Sequence, residues 1–99
     1  MTEMLLTFHC ALHDVDAVAE AIRAISHAPI HVTDKAVRGW DFEDASTAEQ
    51  VIGLLRRNAL ELIVDADAVE TLVQVVTGAK RALPVRWHAV PVAVRGRIA

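Results

Sequence analysis

Five histidines and one cysteine are the residues of this 99-residue chain with the widest chemical repertoire. Imidazole and thiolate are common ligands of zinc, copper and nickel, so their spacing decides whether they can share an ion. His9 and Cys10 are consecutive in a stretch that alternates like a strand, which points them to opposite faces and away from one common ion. His27 and His31 are four apart, but Pro29 lies between them and removes the helical pairing. His9 and His13 converge where that strand turns into a helix, beside Asp14, and would still need a ligand from elsewhere. A metal-binding or metal-buffering protein using His9 and His13, with His88 as a further candidate, is therefore the alternative reading. No complete metal site is assigned, and no cofactor is expected.

Catalytic patterns are weaker. The sequence has no Ser-His-Asp spacing, nucleophile elbow, HExxH or glycine-rich phosphate loop. The acids Asp41, Glu43 and Asp44 suit a solvated loop better than a general acid/base couple. We expect no enzyme. Cys10 shares a strand face with Leu6 and Phe8, where a buried, inert thiol is the usual case. Trp40 and Phe42 stand together in the acidic stretch, either as an exposed hot spot for a partner or folded back onto the protein. Arg56 and Arg57 could pair with the nearby acids or line a cleft that takes an anion.

The elements that position these residues follow from periodicity. Met4–Cys10 alternates as a strand, and Asp14 stands where a helix N-cap belongs. Val15, Val18, Ile22 and Ile25 recur at helical spacing, with Pro29 as the stop. Residues 30–37 form a second strand, followed by a long loop over residues 38–57. Within it, Ser46-Thr47-Ala48-Glu49 has the spacing of a capping box and starts a helical turn. Ala59–Val64 is a third strand, and Asp65 caps a second helix carrying Val69, Leu72, Val73 and Val76, with Gly78 at its end. Val85–Val90 is a fourth strand, and Pro91 confines any C-terminal continuation to an edge. The order gives an α+β fold, ferredoxin-like βαββαβ, with two helices on one face of a four-stranded antiparallel sheet. Residues 1–99 make one domain.

Composition narrows the function classes. Apolar residues make up 54% and charged residues 23% of the chain, which argues against disorder. The longest stretches free of formal charge are half of what a membrane span requires. A single cysteine fits a reducing cytoplasm. A net charge of −3 gives no electrostatic case for nucleic acid. The acids concentrate in the first half and the bases in the second, which suits self-association or a charged partner surface.

Val37-Arg38-Gly39-Trp40 resembles the Val-Lys-Gly-Phe that opens the long loop of PII signalling proteins. Glu61-Leu62-Ile63-Val64-Asp65 resembles the strand after that loop, and Ala89-Val90-Pro91-Val92 the strand after their phosphate loop. Ala48-Glu49-Gln50-Val51, Gly53, Arg56-Arg57, Trp87, Pro91-Val92 and Gly96-Arg97 are more similar to a family of small, uncharacterised PII-like proteins. Members of that family are often encoded beside heavy-metal efflux pumps. The resemblance implies a homotrimer and a regulatory or adaptor role. The partner it implies is a membrane transporter, and specifically a metal-efflux pump. It places partner or ligand contacts on Arg38, Trp40, Phe42, Glu49, Arg56 and Arg57, with a small anionic ligand at the cleft between subunits. PII proteins hold ATP phosphates with Gly-Asp-Gly-Lys before the fourth strand. Residues 79–86 here read AKRALPVR, without a glycine, so nucleotide binding is not expected.

Overall fold

The computed structural model describes residues 2–38 and 45–99, apart from the side chains of residues 50–52. Four strands, β1 (Glu3–Cys10), β2 (His31–Val37), β3 (Leu55–Asp65) and β4 (Arg86–Pro91), form one sheet in the order β2-β3-β1-β4. Every neighbouring pair is antiparallel. Helix α1 (Val15–Arg23) follows β1, and a short helix α2 (Thr47–Ile52) stands between β2 and β3. Helix α3 (Val69–Thr77) joins α1 in a second layer, and each of these two is entered through a 3-10 turn. This is the expected α+β ferredoxin-like arrangement.

The core follows from the two periodicities. Leu6, Phe8 and Cys10 alternate along β1, and Leu60, Leu62 and Val64 along β3, all buried on one face. Val18 and Ile22 of α1 and Leu72 and Val76 of α3 meet them at helical spacing. A fully buried Leu, Ile or Phe contributes about 1.5–3 kcal/mol each, so this interface carries the fold. Cys10 is completely buried, as the alternation implies. Burial, with the Asp14 carboxylate adding to it and Arg57 opposing it, pushes its thiol up to about 11, so it is inert.

Several boundaries differ from the sequence expectation, each for a local reason. β3 begins at Leu55, not Ala59, so Arg56 and Arg57 lie on a strand paired with Ala36 and Lys35, outside any loop. α1 ends at Arg23, six residues before Pro29. Carbonyls of Glu20 and Ile22 take the N–H groups of residues 24–26, and Ile25 is left half exposed. Asp65 makes no side-chain cap, because a 3-10 turn over Ala66–Ala68 comes first. Gly78 closes α3 in the right-handed region, without a left-handed C′. Pro91 is the last residue of β4, on an edge strand where its missing N–H costs no ladder bond.

Candidate functional site

The best-defined polar centre lies at the start of β3. Ser46 accepts the Glu49 N–H while Glu49 Oε1 accepts the Ser46 N–H at 3.0 Å, so the capping box forms as the spacing predicts. Glu49 does more than cap. Its Oε2 accepts the Arg56 N–H at 2.8 Å, and both oxygens accept from Arg57 Nη1, at 3.1 and 3.0 Å. Burial alone would raise the Glu49 carboxyl. The N–H groups of Arg56 and Ser46 and the Arg57 guanidinium outweigh it and hold the pKa at about 2. Arg57 is buried, and its Nη1 also donates to the Arg56 carbonyl.

Local sequence explains why α2 delivers Glu49 here. Gly53 ends the helix at φ +74°, the left-handed region that favours glycine, and its N–H returns to the Glu49 carbonyl. The chain then turns into β3 within two residues, which brings Arg56 and Arg57 back beside Glu49. Of the expected contact residues, Glu49, Arg56 and Arg57 are therefore gathered, with Arg56 exposed and Arg57 buried. Arg38 is exposed beyond the end of β2. Trp40 and Phe42 lie outside the described residues.

A second carboxylate organises another connection at the same end of the sheet. Asp14 stands at the position the sequence assigns to the α1 cap, yet it makes no side-chain cap. It is 4% exposed, and its two oxygens accept the N–H groups of Ala82 and Leu83 at 2.9 and 3.1 Å, tying the α3–β4 connection to the end of β1. No short-range pattern announces this contact, because the partners are 68 and 69 residues away. Arg81 in the same connection donates to the carbonyls of Leu83 and Thr77.

The sheet face away from α1 and α3 carries three of the histidines, His9, His31 and His88. Thr7 pairs with Glu61 on one side and His88 on the other, and His31 lies beyond Glu61, so these four share a row. In the next row Thr33, Ala59, His9 and Arg86 follow one another across the sheet. Thr7 and Ala59 are buried beneath longer neighbours. His9 and His88 stack, ring centroids 5.5 Å apart and planes 24° from parallel. Burial, then the His88 ring and Lys35, hold the His9 pKa below its ordinary value against a smaller pull from Glu61. His13 lies in the 3-10 turn after β1, and His9 finds its ring partner in His88. Among the described residues no group of three His, Cys, Asp or Glu side chains is placed to hold a metal ion.

Trp87 pairs with Phe8 on the helix-covered face but sits at the β4 edge, 48% exposed. It closes one side of a small cavity of about 90 Å³ with Val73, Val76 and Arg81. The C-terminal segment continues from β4 through a bond from the Val92 N–H to the Glu3 carbonyl, and Arg95 pairs with Glu3 at 2.7 Å. Val94 and Ile98 beyond it are almost wholly exposed. None of the described helices is long and apolar enough to cross a membrane.

Residues 2–99 match a family described as Protein of unknown function (DUF3240). The chain belongs to that family. A DUF3240 family protein from Shewanella baltica OS155 has a similar crystal structure, with TM-score 0.74 and 14% identity over 100% of this chain and 99% of that one. A Bacillus cereus protein related to NIF3 is similar at TM-score 0.68 and 12% identity, over 97% of this chain and 26% of that protein. A functionally unknown protein from Pediococcus pentosaceus ATCC 25745 follows at TM-score 0.58 and 7% identity, over 98% of this chain and 97% of that one. At these identities the likeness shows the fold alone. No curated protein matches the chain.

Proposed function

We propose that this DUF3240 chain is a PII-like regulatory or adaptor protein of the cytoplasm that docks on a membrane transporter through residues 38–57. The observation that carries the reading is the double anchoring of that segment. Its entry is held by the Val37–Leu55 pair of β2 and β3, and its exit by the Glu49 carboxylate on Arg56 and Arg57. A connection fixed at both ends on a rigid sheet is a common way to present binding residues, here Arg38, Trp40 and Phe42. The transporter, by resemblance a metal-efflux pump, is the partner that the sequence likeness implies.

A homotrimer belongs to the same reading. Among the described strands β2 and β4 have no neighbour on their outer side, β2 is exposed along its whole length, and the tail carries exposed Val94 and Ile98. Strand edges and apolar tails of this kind are commonly covered by other subunits. The cleft between such subunits is where a small anionic ligand would act, by biasing the order of the 38–57 segment.

Two measurements test the proposal. Light scattering should give about three times 10.8 kDa, and a persistent monomer removes the trimer and its cleft. Trp40→Ala should leave the melting temperature nearly unchanged yet abolish docking to the solubilised pump. A large loss of stability with docking intact would instead place Trp40 in the protein interior and leave the segment without a role.

A further inference from the structure

The cross-strand histidine pair on the open sheet face is left unused by the adaptor reading. We propose that His9 and His88 form a two-imidazole site for a borderline divalent metal ion, with Cu2+ bound more tightly than Ni2+ or Zn2+. Three observations carry it. The register of β1 with β4 sets the two residues diagonally across adjacent strands on one face, and their rings are 5.5 Å apart. The described hydrogen bonds leave the ring nitrogens of both residues without a protein partner, those of His9 are not sealed from solvent, and His88 is exposed. Turning its ring edge-on towards His9 therefore displaces little packing and no backbone.

The surroundings set the character of the site. Thr7, small and buried, forms its floor between His88 and Glu61, so Glu61 is the nearest acid on that face by register among the described residues. Arg86 pairs directly with His9, and Lys35 acts on it through space. These cations oppose a hard, purely electrostatic ion such as Mg2+ or Ca2+, which needs several carboxylates. Their repulsion acts equally on Cu2+, but imidazole is a far better ligand for Cu2+, and first-row affinities peak at copper. Among the described residues no third protein ligand is in place, so water fills the remaining positions. The site is therefore an open, exchangeable one, unlike a four-ligand structural zinc centre.

The test titrates the full-length protein separately with Cu2+, Ni2+ and Zn2+ in a non-coordinating buffer, followed by calorimetry and by the imidazole resonances. The expected result is saturable binding in the order Cu2+ tightest, with the His9 and His88 resonances moving first. Both His9→Gln and His88→Gln should weaken Cu2+ by at least about 100-fold, more than loss of an outer-shell contact costs. His13→Gln should bind as the parent does. Circular dichroism confirms that each variant is folded, and His88→Gln, on an exposed edge position, decides the outcome if His9→Gln unfolds. The proposal is overturned by absence of saturable binding, by unchanged Cu2+ affinity in folded His88→Gln, or by loss of binding in His13→Gln.

Discussion

Glu49 and Asp14 are both carboxylates at helix beginnings, and they tie down two connections at the same end of the sheet over very different spans in sequence. Glu49 gathers its donors from the short stretch between Ser46 and Arg57, one of them a buried guanidinium. Asp14 ignores its own helix and takes two neutral N–H groups from the far side of the sequence. The first closes a local turn onto β3, and the second fastens one connection to another. A carboxylate's role thus depends on which donors the fold leaves without a partner, more than on its place in a helix.

An order of effects follows from this contrast. Glu49→Ala removes three donors' acceptor and takes the carboxylate from Arg57, and should cost about 3 kcal/mol in denaturant unfolding. Its acid dependence carries a definite sign. The folded pKa is about 2, below the ordinary 4.5, so the Glu49 contribution is complete above pH 4.5 and is lost as pH falls through about 2. Glu49→Gln should flatten the stability curve in that window. An unchanged acid limb would show that Glu49 is no keystone of this region.

Asp14→Ala should cost less, about 2 kcal/mol, because it leaves two neutral donors unmatched. Hydrogen exchange separates the two regions directly. Residues 80–85 should exchange faster in Asp14→Ala and residues 53–57 in Glu49→Ala, with little crossover between the two. Loosening of both regions by either variant would show that the two networks are coupled through the shared end of the sheet.

Ser46→Ala removes one half of the capping box and should cost about 1 kcal/mol. The smallest expected effect is that of ATP, which should give no measurable heat with the parent protein. The N–H groups of Ala82 and Leu83, in the α3–β4 connection, already serve Asp14. Micromolar ATP binding that disappears in Arg56→Ala or Arg57→Ala would show that those arginines take over as phosphate donors.

Much of the fold is legible in the residue pattern, and the failures share a cause. Alternation in β1 and the helical stripes of α1 and α3 specify the layers and place Cys10 in the core, since burial on one face is a periodic property. The Ser46–Glu49 box is legible because its partners lie three residues apart. Arg56 and Arg57 hide the first residues of β3, because two adjacent charges interrupt apolar alternation. In the structure one of them is neutralised by Glu49 and the other faces solvent. The Asp14 clamp, the Glu3–Arg95 pair and the His9–His88 stack depend on strand order, and no local spacing encodes that.

The central position of β1 has a consequence during synthesis. β1 is made first, but both of its neighbours, β3 and β4, are made later in the chain. At ordinary elongation speeds the interval from Cys10 to Asp65 lasts roughly 3–10 s. Throughout it Leu6 and Phe8 leave the ribosome with no strand to pair against. The β2–β3 hairpin, whose partners are close in sequence, can assemble before β4 exists. The apolar first strand is therefore the segment most exposed to chaperones or to misassembly with a neighbouring nascent chain.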